Sequence, residues 1–250
     1  MTKYAELRPV PLAFRCLVLT LCLFALHLLL SSNLQAGSPS PGAADLIAKM
    51  SAAYSRLTAY QTEVETNEYD RGRVVGTRRF RYSFKKPHQV RIDMETPHPG
   101  MRLVYPDEKG KVSVRFGGWK AFLKLHLAPD NVLLRTRSGQ RIDQSDFGLL
   151  IQNIGHSLTD RRRGEFRLSE GADRLLLDVL AEDHFLVGEV TRYRFIIDKS
   201  HWLPVEIREY TPDGLLKRTV NFHKLQTAPD LPDRFFLIDE EDSAHGQADR

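Results

Sequence analysis

Cysteine is almost absent from the sequence. The two cysteines, Cys16 and Cys22, lie near the N-terminus, and residues 37–250 contain none. Those 214 residues have no disulfide bonds or thiolate metal ligands, so a hydrophobic core must hold their fold together. Their number is sufficient for such a core.

The short motifs of common enzyme chemistries are also missing. None of the nine histidines shows a His-x-x-x-His or His-Glu-x-x-His spacing, and His98 and His184 fall in predicted surface turns. There is no nucleophile elbow, phosphate-binding glycine loop or dinucleotide fingerprint. We therefore predict that the protein is not an enzyme and that it uses no cofactor or metal.

A large excess of charge is lacking as well. The net charge is +4, and it falls to +2 without residues 1–36, which hold three basic residues and one acidic residue. This balance gives no electrostatic reason for a nucleic-acid partner, and we predict none.

The first 36 residues have the pattern of a secretory signal. Three basic residues precede an apolar run over residues 16–30, and a short polar segment ends at Ala36. Fifteen residues are short for a membrane span, which needs about 20. We predict a signal peptide over 1–36, export to the periplasm and a Ser/Pro/Gly linker over 37–42. An uncleaved anchor is the alternative.

The strongest pattern in the rest of the chain is the alternation of apolar and polar residues between 74 and 105. Side chains on a strand point to opposite faces with a period of two, so three alternating segments predict a three-stranded antiparallel meander. Breaks at Lys86-Pro87 and at residues 96–100 separate the strands. The apolar face consists of Phe80, Tyr82, Phe84, Val90, Ile92, Met94, Met101 and Leu103.

Two helices are predicted from stripes of apolar residues, one over 43–57 and one over 146–158 with Ser145 as its N-cap. Two interior glycines, Gly148 and Gly155, indicate either movement or close packing of the second helix. Its apolar stripe contains Phe147, Leu150, Ile151 and Ile154. Further strands are predicted over 60–69, 112–116, 120–127, 132–135, 165–169, 174–180, 189–198, 204–210 and 215–225.

The predicted elements leave apolar strand surface uncovered. About eleven strands make a sheet about 50 Å wide, whereas each helix covers about 10 Å. Sheets of this size curl or split, and a curled one leaves interior space. We therefore predict a mainly β fold: one curled antiparallel sheet, an incomplete barrel capped by helices, with a hydrophobic cavity between them. A two-sheet sandwich is the alternative.

Domain bounds, Trp119 and an arginine triplet can also be interpreted from the sequence. We expect one domain over residues 43–240, followed by a flexible acidic tail over 241–250. Trp119, after two glycines, is predicted to be a buried plug, with an exposed docking aromatic as the alternative. We predict that the cations of Arg161, Arg162 and Arg163 are solvated at a helix C-terminus; contact with anionic lipid or an acidic partner is the alternative.

Several stretches of the chain resemble the LolA/LolB family of periplasmic lipoprotein carriers. The similarity covers residues 43–240, and each motif is mainly architectural. Gly117-Gly118-Trp119 departs from the carriers proper and looks more like a poorly characterised group of secreted proteins with the same fold. The stretches that carry the resemblance are residues 84–92, 145–150, 197–204, 213–214 and 231–236.

The resemblance implies a function as well as a fold. In that family an incomplete barrel is capped by helices, and acyl chains occupy the space between. It implies that the eight apolar residues of the meander form a cavity wall, with Phe147, Leu150, Ile151 and Ile154 as the lid. The expected cargo is a lipid or an acylated protein, carried by a monomer with a transient membrane-protein partner in the envelope.

Other functions stay open. RseB-like regulators resemble the same fold and read misassembled envelope proteins, so a sensor that binds a membrane protein is the alternative. A structural domain without a ligand is a third interpretation, in which the wall residues are ordinary core residues.

Overall fold

The computed structural model describes residues 41–134, 141–159, 166–185 and 188–239. The predicted signal peptide, the three arginines at 161–163 and the acidic tail over 241–250 lie outside these ranges. The helices are α1 (Pro41–Arg56) and α2 (Phe147–Thr159). The strands are β1 (Ala59–Asp70), β2 (Arg73–Lys85), β3 (Gln89–Thr96), β4 (Arg102–Tyr105), β5 (Val112–Arg115), β6 (Lys124–Leu127), β7 (Phe166–Glu170), β8 (Arg174–Glu182), β9 (Val190–Asp198), β10 (Leu203–Tyr210) and β11 (Leu216–Gln226).

All eleven strands belong to one antiparallel sheet in the order β6-β5-β4-β3-β2-β1-β11-β10-β9-β8-β7. Consecutive strands pair within β1–β6 and within β7–β11, so the sheet consists of two meanders joined where β1 pairs with β11. β6 and β7 are its edges, and the sheet does not close into a barrel. The predicted fold class, a mainly β protein with a single open antiparallel sheet and two helices, is confirmed.

The turns define two ends of the sheet. We call the upper end the one that carries the β1–β2, β3–β4, β5–β6, β8–β9 and β10–β11 connections, because β1, β8 and β10 run toward it and β2, β9 and β11 run away from it. The lower end carries the β2–β3, β4–β5, β7–β8 and β9–β10 turns.

One face of the sheet, here called the inner face, carries both helices and is built from cross-strand rows of mostly apolar residues. Residues that pair across strands lie side by side on the same face. The lowest row is Tyr60, Phe84, Val90 and Tyr105; the next is Thr62, Tyr82, Ile92, Leu103 and Val114; the third is Val64, Phe80 and Met94.

Both helices pack on this face through residues spaced three or four apart, as an amphipathic helix requires. α1 buries Ala43, Leu46, Met50 and Ala53. α2 buries Phe147, Ile151, Ile154 and Leu158. Apart from Ala53, these side chains join the apolar residues of β1, β2, β8 and β9 in one core cluster.

Some predicted element bounds were wrong. Only Lys124–Leu127 of the predicted strand over 120–127 is a strand, because Gly118–Lys120 forms a 3-10 turn that continues to Leu123 through its backbone hydrogen bond to Lys120. Val132–Leu134 is a 3-10 turn as well and not part of a strand. α1 begins at Pro41, so the last two residues of the predicted linker over 37–42 are helical.

The predicted N-cap of α2 was also wrong. Asp146 Oδ1 accepts hydrogen bonds from the backbone N–H groups of Gly148 at 2.7 Å and Leu149 at 3.1 Å. The hydroxyl of Ser145 instead donates to the carbonyl of Ile142 at 2.6 Å. The helix N–H groups thus find their acceptor in the Asp146 carboxylate, and Asp146 takes the capping role.

A charged network covers part of the opposite face, the outer face. The Arg91 side chain is 0% exposed, and its Nε donates to Asp93 Oδ2 at 2.7 Å. Arg102 Nε contacts Asp93 Oδ1 at 2.6 Å. The Arg91 guanidinium lies 4.1 Å from the ring centroid of Phe235, in the 3-10 turn Asp233–Phe236. The Asp93 carboxylate therefore pairs with both Arg91 and Arg102, next to the 3-10 turn Asp233–Phe236.

We predict that Asp93→Ala destabilises the protein by about 3 kcal/mol, since it removes the carboxylate that two largely buried guanidinium groups share. Urea unfolding followed by circular dichroism measures the change. Glu95→Ala is the matched control, because Glu95 is exposed on the same strand and face, and it should change the free energy of unfolding by less than about 0.5 kcal/mol. Equal losses in the two variants would contradict the prediction.

Candidate functional site

The eight residues predicted to form a cavity wall lie together on the inner face, but their exposure differs. Tyr82 is 5% exposed and Phe84 and Val90 are each 1% exposed, within the core that the helices cover. The other five are partly exposed, and all but Met94 pack against that core. These five are Phe80, Ile92, Met94, Met101 and Leu103. The open part of the wall therefore lies on β2, β3 and β4 and extends toward the upper end. A ligand-binding role for these residues stays a prediction.

The predicted lid residues all lie on α2, and three of them face the core. Phe147 and Ile151 are each 3% exposed and Ile154 is 0% exposed, whereas Leu150 is partly buried. The ring of Phe147 stacks on Tyr60 with 4.8 Å between centroids and lies 5.1 Å from Phe222. α2 is thus attached to the inner face through its N-terminal aromatic residue.

Three tyrosines bind the N-terminal end of α2, and we call them the tyrosine latch: Tyr54, Tyr60 and Tyr82. Tyr54 donates its hydroxyl proton to Asp146 Oδ1 at 3.0 Å, so this one carboxylate oxygen both caps α2 and ties it to α1. The Tyr60 hydroxyl accepts from the Phe147 N–H at 3.2 Å. The Tyr82 hydroxyl lies 3.1 Å from Ser145 Oγ.

Burial raises the pKa of all three latch hydroxyls, and the nearby Asp146 carboxylate raises it further. A buried phenolate would lose its hydration and lie close to a negative charge, so the neutral form is favoured. The latch therefore consists of neutral hydroxyls at physiological pH, with Tyr54 a proton donor to a carboxylate.

The two glycines of α2 allow the helices to approach closely. A Cβ atom at Gly148 would lie 2.5 Å and 2.6 Å from two carbons of the Tyr54 ring. The nearest atom to a Cβ at Gly155 would be Ile47 Cγ2, at 3.7 Å. Of the two explanations that the sequence left open, close packing accounts for Gly148 directly.

A groove of about 770 Å³ lies where α1, α2 and the segment before α2 meet. Tyr54, Asp146 and Gly148 line it together with His88 and His156. Of the twelve predicted wall and lid residues, only Ile151 is among those that line it. The groove is therefore a different place from the predicted cavity.

Charged residues end the apolar rows of the inner face near the upper ends of β10 and β11. Glu209 is 1% exposed, and its Oε2 lies 2.8 Å from a terminal nitrogen of Arg218 on the neighbouring strand. Its Oε1 lies 3.2 Å from Lys217 Nζ. Burial raises the pKa of Tyr193, which pairs with Glu209 across β9 and β10, and the Glu209 charge raises it further. The apolar rows of the inner face thus stop at a paired, buried charge.

Sequence reasoning missed several of these residues. Tyr54 lay in the predicted first helix and Tyr60 in the first strand, but nothing in their spacing connects either with residues about 90 positions later. The alternation of Tyr60, Thr62 and Val64 could have assigned β1 to the inner face. The prediction that Trp119 is buried was wrong, because its side chain is 81% exposed.

Metal-ligand geometry is not seen in the described part of the chain, where no group of three or more His, Cys, Asp or Glu residues could hold an ion. Neither helix in that part is long and apolar enough to span a bilayer.

Comparison with known proteins identifies similar solved structures. No protein-family model matches the chain, and no curated protein matches it in sequence. A structure of MucB is 14% identical with a TM-score of 0.47; the match covers 80% of this chain and 64% of MucB, so the chain spans less than two thirds of that protein.

Two further structures are similar at a lower TM-score. A LolA superfamily protein from Nitrosomonas europaea is 11% identical over 78% of this chain and 97% of its own, with a TM-score of 0.36. The lipoprotein LppX from Mycobacterium tuberculosis is 9% identical over 77% and 100%, with a TM-score of 0.41. The resemblance to the LolA/LolB family is confirmed to the extent that such proteins are among the similar structures. At these values it carries no argument about ligand or partner.

We predict that Gly148→Ala destabilises the protein by about 1 to 3 kcal/mol, because the new methyl group would overlap the Tyr54 ring. Alanine is intrinsically the better helix former, so the steric term must exceed the helix-propensity gain of up to about 1 kcal/mol. Thermal unfolding measures the difference.

Gly155→Ala is the matched control in the same helix. Its methyl group would make an ordinary contact with Ile47, so we expect it to stabilise the protein by up to about 1 kcal/mol. Stabilisation by both substitutions would contradict the close packing of Gly148 against Tyr54.

We predict that stability falls as the pH rises above about 10, the ordinary pKa of tyrosine. The raised pKa values of the latch tyrosines mean that their contribution is complete below that pH and is lost as the pH climbs toward the folded-state values. Phenolate absorbance and circular dichroism, recorded together, should show the buried tyrosines ionising only as the protein unfolds. Ionisation of every tyrosine near pH 10 with the fold intact would refute this.

Proposed function

We propose that the protein binds a lipid, an acylated protein or another apolar molecule on the inner face of the sheet, beside and beneath α2, and carries it in the periplasm. The observation that supports this is the group of partly exposed apolar side chains on β2, β3 and β4, continuous with the buried core: Phe80, Ile92, Met94, Met101 and Leu103. A row of large apolar side chains that the chain's own helices leave partly open favours a hydrocarbon ligand.

Hydrocarbon burial supplies enough free energy for such binding. Each methylene group removed from water contributes about 0.8 kcal/mol. An acyl chain of about ten methylenes would gain about 8 kcal/mol, from which the cost of association is subtracted. Met94 and Met101 add flexible, polarisable side chains that adapt to ligands of different shape.

The attachment of α2 suggests how the site admits a ligand. Hydrogen bonds concentrate at its N-terminal end, where the tyrosine latch meets Ser145, Asp146 and Phe147. Farther along, Ile151, Ile154 and Leu158 join the apolar core, and Ser157 Oγ lies 3.1 Å from His184 Nδ1. An acyl chain that entered beneath this part of α2 would replace protein–protein apolar contacts with protein–ligand apolar contacts. Displacing the tyrosine latch would instead leave buried hydroxyls unpaired.

The proposal also includes the location of the protein, its binding domain and its partner. The signal-like segment over residues 1–36 favours export to the periplasm, with residues 43–240 as the binding domain. The cargo would travel with a monomer, and a membrane protein of the envelope would be its transient partner. No covalent step and no cofactor is part of the proposal.

We predict that Ile92→Glu abolishes binding of a fluorescent fatty acid, because it places a carboxylate within the open apolar row. Ile92→Met keeps the row apolar and should bind within about threefold of wild type. Arg81→Ala changes the opposite face of the neighbouring strand and should also bind normally. Fluorescence titration gives the affinities, and circular dichroism confirms that each variant is folded.

Native mass spectrometry of protein purified without detergent provides the complementary test. Bound lipid that is lost in Ile92→Glu supports the proposal. An empty chain that binds no fatty acid, together with stoichiometric capture of one envelope membrane protein, would favour the sensor function instead.

A further inference from the structure

The exposed apolar side chains of the protein are concentrated at the upper end of the sheet. Among the described residues, nine large apolar side chains are exposed, and six belong to turns or strand ends at the upper end. Their exposed fractions range from 41% to 81%, so they are presented to the surroundings. These six residues, here called the upper apolar set, are Val74, Val75, Trp119, Phe122, Leu123 and Leu215.

The β5–β6 loop holds its aromatic residues outward through its backbone. Gly117 packs so closely on the β3–β4 turn that a Cβ atom there would lie 2.1 Å from the carbonyl oxygen of Pro99. The next residues form a 3-10 turn, in which the Ala121 N–H donates to Gly118 at 3.0 Å and the Leu123 N–H to Lys120 at 2.9 Å. Trp119 and Phe122 project from this turn with 81% and 78% exposure.

Cations accompany the apolar residues at this end. Arg71 and Arg73 flank the β1–β2 turn, and both are exposed. Lys120 Nζ lies 5.1 Å from the Trp119 ring centroid. Asp70 and Asp213 are the acidic residues of the β1–β2 and β10–β11 turns, and Glu95, Asp183 and Glu189 also lie at this end. Glu189 is paired with Lys217 at 3.3 Å. Glu65 and Glu68, lower on β1, instead form ion pairs with arginines of β2.

The upper apolar set is too wide to line a single pocket, and its width fits contact with an extended partner surface. The β5–β6 and β10–β11 turns are about six strand spacings apart, or about 30 Å measured along the sheet. Indole rings favour the boundary between lipid headgroups and acyl chains, and arginine and lysine favour anionic headgroups. The exposed apolar side chains and the neighbouring cations of the β1–β2 turn and the β5–β6 loop match that boundary.

We propose that the upper end docks on the surface of an anionic lipid bilayer, with Trp119 and Phe122 inserted among the headgroups and Arg71, Arg73 and Lys120 held against them. This proposal does not rest on the binding of an apolar cargo. It uses residues outside the predicted wall and lid, so either proposal can fail without the other.

The experiment uses the full chain, purified from the envelope as the cell processes it. The chain contains two tryptophans, and subtracting the emission of Trp119→Phe from that of the wild type isolates Trp119. Vesicles of phosphatidylethanolamine and phosphatidylglycerol are compared with vesicles of phosphatidylcholine. Because Trp119 reports its own surroundings, membrane attachment through residues 1–36 does not produce the signal.

We expect Trp119 emission to shift to the blue with phosphatidylglycerol vesicles and to be quenched by brominated acyl chains. Combined Arg71→Ser, Arg73→Ser and Lys120→Ser should weaken the interaction that Trp119 reports by about a hundredfold with anionic vesicles. The matched control is Val132→Ser with Leu133→Ser, which removes residues of 78% and 75% exposure that follow the lower end of β6. It should leave the Trp119 signal unchanged.

Three outcomes would overturn the proposal. The first is Trp119 emission that does not change on addition of anionic vesicles. The second is equal loss of the signal in the Val132 and Leu133 control. The third is self-association in sedimentation velocity that Trp119→Ser with Phe122→Ser abolishes, which would assign the upper apolar set to contact with a second copy of the chain.

Discussion

The structure depends on a mismatch in area between the inner face of the sheet and the two helices that lie on it. Eleven strands at about 4.8 Å spacing are far wider than two helices of about 10 Å. α1 and α2 cover the rows that contain Tyr60 and Phe84, where exposure falls to 1%. Toward β3, β4 and the upper end the rows emerge from beneath them, and Ile92 and Met94 become partly exposed. The mismatch in area accounts for apolar side chains of the inner face that stay partly exposed.

Polar contacts specify the position of the two helices, whereas most of the surface that they bury against the sheet is apolar. Asp146 receives two backbone N–H groups of α2 and the hydroxyl of Tyr54, so a single carboxylate sets both the beginning of one helix and its distance from the other. Gly148 permits that distance because it has no Cβ. Buried polar groups cost free energy when unpaired, so this arrangement defines one geometry at one end of α2. The apolar remainder tolerates the exchange of one hydrocarbon contact for another.

The periodicity of apolar residues along the sequence predicts most of the strands and both helices. The features that it does not predict depend on contacts between residues far apart in sequence. Alternation along the strands, and the three- and four-residue spacing of the helices, predicted twelve strand segments and two helices, and the structure contains eleven of those strands and both helices in the predicted order. Periodicity failed where it was short or ambiguous: Val132–Leu134 is a brief apolar run, and Leu123 belongs to a turn that continues the alternation by accident. The pairing of β1 with β11 has no local signal, because the two strands lie about 150 residues apart in sequence.

The candidate site also has one property that the sequence predicts, the face on which each residue lies, and one that it does not, the exposure of each residue. All eight wall residues share the inner face because a period of two fixes which side of a strand each occupies, and the sequence alone determines that. How much of each is covered depends on where the helices come to rest, and Phe84 and Ile92 differ in exposure for that reason only.

The open part of the inner face and the upper apolar set lie toward the same end of the sheet, although different parts of the strands form them. Strand interiors pointing inward supply Phe80 and Met94, whereas turns supply Trp119 and Phe122. Burial of the turn residues would require a partner surface, and a bilayer provides one that also contains acyl chains, the ligand class that we propose for the inner face. A protein docked by these turns would present the uncovered end of its apolar rows toward the membrane. An acyl chain could then pass between bilayer and sheet with little hydrocarbon exposed to water, which is the costly step in moving a lipid.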